Sequence, residues 1–166
     1  ILLKEVHHRI KNNMNTICGL LMIQAENPEN DSAKNALYDA AGRVRSMMVL
    51  YDQIYRSDNF REVSLKKYFP PLIDEIISSF SSAKNVAVST DIDDISADTD
   101  LLSPLGIIIS ELLTNIMKHA FKSQSEGTIL VSAKEDSGSA VITVKDNGSG
   151  IPESIDFSNS TGFGLQ

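Results

Sequence analysis

Four side chains in the stretch Glu111-Leu-Leu-Thr-Asn-Ile-Met-Lys-His-Ala-Phe121 combine types that can do chemistry: Glu111, Asn115, Lys118 and His119. On a helix turning about 100° per residue they share an arc of about 100°. Leu105, Ile109, Leu112, Leu113, Ile116 and Ala120 then cover the opposite side. Asn is a poor helix former, so a mid-helix Asn on a polar face calls for a reason. A carboxylate can polarise a nucleophile or water, an amide oxygen is a hard ligand for Mg²⁺, and an ammonium meets phosphate charge. The set can therefore hold Mg²⁺ and a polyphosphate. Taken alone, an amphipathic helix with a mixed polar face accounts for the same residues.

A second group is Glu5-Val-His-His-Arg-Ile-Lys-Asn-Asn13. On a helix whose apolar seam runs through Leu3, Ile10 and Leu21, His8 points about 200° away from the seam and His7 only about 55°. Glu5 and Asn12 share the exposed side with His8. An exposed imidazole beside a carboxylate can be a nucleophile, the carboxylate fixing the tautomer that leaves one ring nitrogen free. The plain alternative is a surface histidine beside a half-packed one. Adjacent helical positions diverge too far to chelate a metal well.

Two glycine-rich stretches follow: Asp146-Asn-Gly-Ser-Gly150 directly after a strand pattern, and Thr161-Gly-Phe-Gly-Leu165. An aspartate at a strand end can accept a hydrogen bond from an adenine amine while glycines let the backbone approach the base. A Gly-x-Gly turn can offer N–H groups to phosphates. Each is a common turn element and weak by itself.

These residues need elements to position them. Residues 1–26 read as one helix with apolar Leu3, Val6, Ile10, Met14, Ile17 and Leu21, and about 32–56 as a second with Leu37, Ala40, Val44, Met47, Tyr51 and Ile54. Ser32 is the expected cap of the second helix. A hairpin of two such helices cannot close a core alone, so two hairpins in a homodimeric four-helix bundle are expected. Past Ser57-Asp58-Asn59 the pattern turns to mixed α and β: a helix from Ser64 to about Phe80 despite Pro70 and Pro71, a strand over 85–92, a helix over 98–122, and strands over 129–134 and 140–145 joined at Asp136-Ser-Gly-Ser139. The expected fold is a helical hairpin over 1–57, then an α/β sandwich over 61–166.

The 166 residues are 42% hydrophobic and 22% charged, as in ordinary globular domains. A net charge of −7 argues against a nucleic-acid binder. The single cysteine, Cys18, excludes a disulfide framework, fits a reducing cytoplasm, and reads as a packed residue. No apolar run reads as long enough to span a bilayer, and no signal peptide is visible. Ile1 already lies inside a helical pattern, so the chain reads as part of something longer.

Each motif is weak, but their order and spacing are not. Together they resemble the histidine kinase catalytic core, whose ATP-binding domain has the Bergerat-type sandwich shared with gyrase and the ninety-class heat-shock chaperone (the GHKL superfamily). Residues 110–121 are similar to its N box, 146–150 to its G1 box and 161–165 to its G2 box. Glu-x-His-His-Arg-x-Lys-Asn-Asn resembles the subfamily carrying His-Arg-x-Lys-Asn. The related Trp-x-Glu group is disfavoured by the absence of tryptophan.

The resemblance implies ATP and Mg²⁺ as cofactors, with His8 as phosphoacceptor, Glu111 as polarising carboxylate and Asn115 as Mg²⁺ ligand. It puts Lys118 and His119 on the phosphates, Asp146 on adenine, Gly148 and Gly150 around its pocket, and Gly162 and Gly164 at the phosphate lid. It also implies transfer to a response regulator receiver domain and an upstream sensor domain outside this chain, with the full-length protein cytoplasmic or membrane-attached. Arg9 stands where commoner kinases place an acid, which leaves both Glu5 and Glu111 open as the base for His8. Such domains continue past the G2 box, so the ATP-binding domain reads as truncated. A degenerate ATP-binding scaffold and a plain ATPase of the same superfamily are the competing readings.

Overall fold

The computed structural model describes residues 2–26, 31–56, 61–80, 85–122 and 124–150, with side chains from Glu5 onward. Two long helices open the chain, α1 (Leu2–Glu26) and α2 (Asp31–Arg56). They pack against each other as a hairpin. Asp31 is already helical, so Ser32 lies inside the first turn of α2 and is not its cap.

The buried line of α1 runs through His7, Cys18 and Ala25, while Val6 and Ile17 are 45% and 48% exposed. It is thus rotated toward His7 from the apolar seam drawn on the sequence. The cause is that α1 meets small residues of α2: the Cys18 thiol lies against the Ala41 carbonyl at 3.7 Å, and Ala25 and Ala41 are fully buried. Close helix approach selects small side chains and leaves the larger ones on the flank. His8 then stands about 100° from the buried line, beside it rather than opposite, and is still exposed.

The remaining elements are β1 (Glu62–Ser64), α3 (Leu65–Ser78), β2 (Val86–Ile92), β3 (Ser96–Asp98), α4 (Thr99–Asn115), a π turn (Ile116–Ala120), β4 (Gly127–Asp136) and β5 (Ser139–Asp146). Strands β1 and β3 form a short antiparallel pair that the sequence pattern did not suggest. β2 pairs parallel to β4, which pairs antiparallel to β5 through a hairpin whose turn residues Ser137 and Gly138 both have positive φ.

Strand β4 alternates strictly, with Ile129, Val131 and Ala133 at 0–1% exposure facing the helices. They join Tyr68, Phe69, Leu72 and Ile73 of α3 and Leu102, Ile109 and Leu113 of α4 in one core. This apolar face carries α3 straight through Pro70 and Pro71, whose rings each cost a backbone bond. Ser64 does occupy the N-cap position of α3, but its hydroxyl bonds the Asp94 carboxylate and not the helix.

Helix α2 serves two partners. Leu50 enters the α/β core, and Ser46 hydrogen-bonds Ser110 of α4 at 2.7 Å, both groups buried. The span Thr99–Ala120, with mean hydropathy 1.3, has the length and composition to cross a membrane, contrary to the expectation from sequence. Its positions Leu102, Ile109, Leu113 and Met117 are nevertheless part of the core.

Candidate active site: an N box, a glycine loop and an exposed histidine

Helix α4 begins with Asp98 accepting from the Asp100 N–H at 2.8 Å and ends by loosening into the π turn. A π turn closes on i→i+5 bonds and recurs at functional sites. On the arc drawn at 100° per residue, Glu111 and Lys118 already lie to one side and Asn115 and His119 to the other. Glu111 and Lys118 turn toward α2, whereas Asn115 and His119 face solvent. Met117 is carried into the core, and Leu112, assigned to the apolar side by sequence, is 42% exposed.

Glu111 Oε1 accepts from Arg43 Nε at 2.8 Å, and Lys118 Nζ donates to Asp39 Oδ1 at 2.8 Å. Neither α2 residue was singled out by sequence, because charge complementarity between distant elements leaves no periodic trace. His119 titrates below its ordinary 6.5, through partial desolvation and then the charges of Lys122 and Lys118. It is therefore a neutral imidazole at neutral pH, able to donate one hydrogen bond but not to add positive charge.

The π turn and the loop after β5 are stitched together. The Ser149 N–H donates to the Ala120 carbonyl at 3.0 Å. Asn147 pairs with Thr128 through both its own N–H and its side-chain oxygen, which accepts from the Thr128 N–H at 2.7 Å. Asp146 ends β5, and its Oδ1 accepts the Gly148 N–H at 2.8 Å. A Cβ on Gly148 would overlap the Ala120 side chain and lie 2.7 Å from the Ala120 oxygen, so only glycine allows this approach. Gly150 has φ +72°, also a glycine conformation.

Among the described residues Asp146 keeps its second oxygen without a protein hydrogen bond, and exposed Asn115 makes none with its amide. A free carboxylate oxygen beside a cradle with no room for a Cβ fits a purine amine, and an unengaged amide oxygen fits a hard cation. Gly162 and Gly164 lie outside the described residues.

On the hairpin, His7 is 6% exposed. Its ring stacks on Tyr55 at 3.8 Å and Tyr51 at 5.1 Å, with Nε2 3.6 Å from Asp52 Oδ1. Its Nδ1 is buried without a hydrogen-bond partner. Asp52 also takes Lys11 at 3.3 Å and Arg56 at 2.8 Å. This cluster pins α1 to the end of α2 and leaves the His8 ring exposed, 5.8 Å from that of His7. Glu5 does not turn to His8: its Oε1 accepts from Arg9 at 2.9 Å. The structure thus brings Glu111, Asn115, Lys118, His119, Asp146, Gly148 and Gly150 to one end of the α/β layer, and keeps His8 and Glu5 on the hairpin.

Residues 5–80 match the family described as "Histidine kinase", and residues 101–166 the family of histidine kinase-, DNA gyrase B- and HSP90-like ATPases. Over 99% of its length the chain is 30% identical to the sensor histidine kinase PdtaS of Mycolicibacterium smegmatis, covering 33% of that protein. It is 26% identical to blue-light-activated histidine kinase 2 of Erythrobacter litoralis, over 98% of this chain and 47% of that protein. The chain thus spans between a third and a half of these relatives. The solved histidine kinase domain of the Erythrobacter litoralis EL346 blue-light-activated kinase superposes with a TM-score of 0.69 at 25% identity, covering 98% of this chain and 76% of that one. The second module therefore carries the fold that binds ATP in this superfamily. With both modules matched in order along one chain, the protein belongs to the histidine kinases, as a catalytic core in which a helical hairpin precedes a gyrase- and HSP90-like ATPase domain.

Proposed function

We propose that this chain transfers the γ-phosphoryl group of ATP to His8 and that the phosphoryl group then passes to an aspartate of a response regulator receiver domain. The observation that carries the reading is the contrast between adjacent histidines: His7 is buried and clamped by Tyr51, Tyr55 and Asp52, and His8 is held out in solvent by that clamp. A phosphoacceptor has to reach an ATP site and then a second protein, so it must be exposed yet fixed in direction.

In the transfer a bond forms between a His8 ring nitrogen and the γ-phosphorus as the bond to the bridging oxygen breaks, ADP leaves, and the ring gives up its proton. Glu111 and Glu5 are the two carboxylates available to orient or receive that proton, each ion-paired in this structure, with Arg43 and Arg9 respectively. Lys118 supplies charge for the phosphates, the free oxygen of Asp146 accepts from the adenine amine, and Gly148 and Gly150 shape the base pocket. His119 donates a neutral hydrogen bond to the phosphates. Mg²⁺, when bound, neutralises phosphate charge, and Asn115 is the side chain that would hold it. Gly162 and Gly164 are assigned to the phosphate lid by their motif alone.

We divide the chain into a phosphotransfer hairpin, 1–57, and an ATP-binding domain, 61–166. Exposed Val6, Ile17, Leu20, Ile23 and Met47 on the hairpin support a homodimer through a four-helix bundle. A sensor domain outside this chain and a cytoplasmic location for the core complete the reading. Incubation with γ-labelled ATP tests it: acid-labile label on the protein is expected. ATP binding without label would favour a conformational scaffold, and hydrolysis without label an ATPase.

A further inference from the structure

The hairpin of β4 and β5 fixes where its hydrogen-bonded pairs fall. Such pairs alternate with open ones, and the first closes the tight turn at Asp136 and Ser139. Every second pair along the register is then a hydrogen-bonded one, through Ser132–Thr143 and Leu130–Lys145. The next is due at Thr128 and Asn147, just beyond the last ladder partners, Ile129 and Asp146. Half of that pair is made in the usual way, the Asn147 N–H donating to the Thr128 carbonyl at 3.2 Å. The other half is not. The Thr128 N–H donates to Asn147 Oδ1 at 2.7 Å, and the Asn147 carbonyl accepts instead from Gln124 Nε2 at 3.2 Å.

The Asn147 side chain thus stands in for its own main-chain carbonyl. A strand continued through Asn147 would send the Gly148 N–H out along the far edge of β5. With the Asn147 carbonyl swung out of the ladder, the chain turns instead, and the Gly148 N–H closes on Asp146 Oδ1 at 2.8 Å. That bond occupies one carboxylate oxygen of Asp146 and leaves the other for a ligand. The Ser149 N–H then reaches the Ala120 carbonyl at 3.0 Å, so the same turn docks the loop on the end of the N box. A short side chain with an sp² oxygen is what the exchange needs, and Asn and Asp alone supply one.

We propose that Asn147 is a positioning residue for base selectivity: it ends β5 at Asp146 and so aims the free Asp146 oxygen at the nucleotide base. The proposal rests on the assignment of Asp146 to the adenine amine and adds the residue that sets it. Adenine presents an amine where guanine presents a carbonyl, so a correctly aimed carboxylate accepts from the first and repels the second. Without an acceptor on the Asn147 side chain, the Thr128 N–H takes the main-chain carbonyl. The ladder then runs on by one pair, and the Gly148 N–H is drawn off Asp146. Gln124 supports the same turn from outside by holding the displaced carbonyl.

The test measures, on the whole chain, the affinities of non-hydrolysable ATP and GTP analogues and takes their ratio. A loop that is merely loosened weakens both nucleotides alike and leaves the ratio where it was. Asn147→Ala should lower the preference for ATP by at least about 10-fold, the share of one charge-assisted hydrogen bond. Asn147→Asp keeps an acceptor for the Thr128 N–H, and its added charge acts on both triphosphates equally, so its ratio should stay within about 3-fold of the unaltered chain. An unchanged ratio in Asn147→Ala overturns the proposal, and so does a ratio in Asn147→Asp as low as in Asn147→Ala. Should Asn147→Ala fail to fold, Gln124→Ala decides, since it removes an exposed side chain and one neutral hydrogen bond. Its ratio should fall by about 2- to 5-fold, and no fall ends the proposal. An unaltered chain with no preference for ATP removes Asp146 from the base, and the proposal with it. A preference that Asn147→Ala leaves intact ends the proposal alone.

Discussion

Replacing Asp146 by Asn tests the base-reading role proposed for the glycine loop. Oδ1 of Asp146 accepts the Gly148 N–H at 2.8 Å, and the amide oxygen of Asn can take over that bond, so the loop keeps its path. The NH₂ group of Asn then replaces the free carboxylate oxygen, and an adenine amine meets a donor where it needs an acceptor. The loss is one charge-assisted hydrogen bond, about 1.5–3 kcal/mol. At about 1.4 kcal/mol per decade, ATP should bind roughly 10- to 150-fold more weakly. Titration calorimetry with a non-hydrolysable ATP analogue reads the affinity. Urea unfolding of the nucleotide-free protein should change by less than about 0.5 kcal/mol, as for other substitutions that preserve local bonds. Unchanged affinity in a folded Asp146→Asn protein would remove Asp146 from the pocket. A large loss of apo stability would mean that the loop, not the base contact, had been perturbed.

Further outcomes follow from neighbouring groups. Gly148→Ala places a Cβ 2.7 Å from the Ala120 oxygen and 2.8 Å from Asp146 Oδ1, so it should cost about 1–3 kcal/mol in urea unfolding and weaken ATP together with it. Asn115→Ala removes an exposed amide with no packing role; folding should be preserved while Mg²⁺-dependent label uptake is lost, and undiminished uptake would refute the ligand assignment. His119 titrates below 6.5, so the folded chain favours its neutral form. That contribution is complete above 6.5 and is lost as pH falls below it, where the unfolded chain takes the proton first. His119→Gln should accordingly flatten the fall in stability between about pH 7 and about pH 5, and an unchanged slope would contradict the depressed titration.

Periodicity located most elements because their burial follows from it. The alternation of Ile129, Val131 and Ala133 is the inner face of β4, and Asp136-Ser-Gly-Ser139 is the turn that its composition suggests. Within the single chain the buried line of α1 runs through small residues that periodicity does not pick out, Cys18 and Ala25 against Ala41 of α2, whereas the large apolar residues Val6 and Ile17 stay exposed. Short β1 and β3 escaped notice because three residues carry no period. The N box was legible as a set of residue types on one arc, but that Glu111 and Lys118 face α2 while Asn115 and His119 face solvent depends on the packing of a helix distant in sequence. The pairing of Glu111 with Arg43 and of Lys118 with Asp39 spans 68 and 79 residues, and only the tertiary structure brings such charges together.

The central claim is that His8, and not its neighbour, takes phosphate from ATP. Mass spectrometric mapping of the labelled chain under neutral conditions tests it most directly, with His8→Gln and His7→Gln measured beside the unaltered protein. Phosphate should be found on His8, absent from His8→Gln although that protein still folds and binds ATP, and retained in part by His7→Gln, whose disturbed Tyr51–Tyr55 stack lowers stability. Phosphate on His7, with His8→Gln still labelled, would contradict the account.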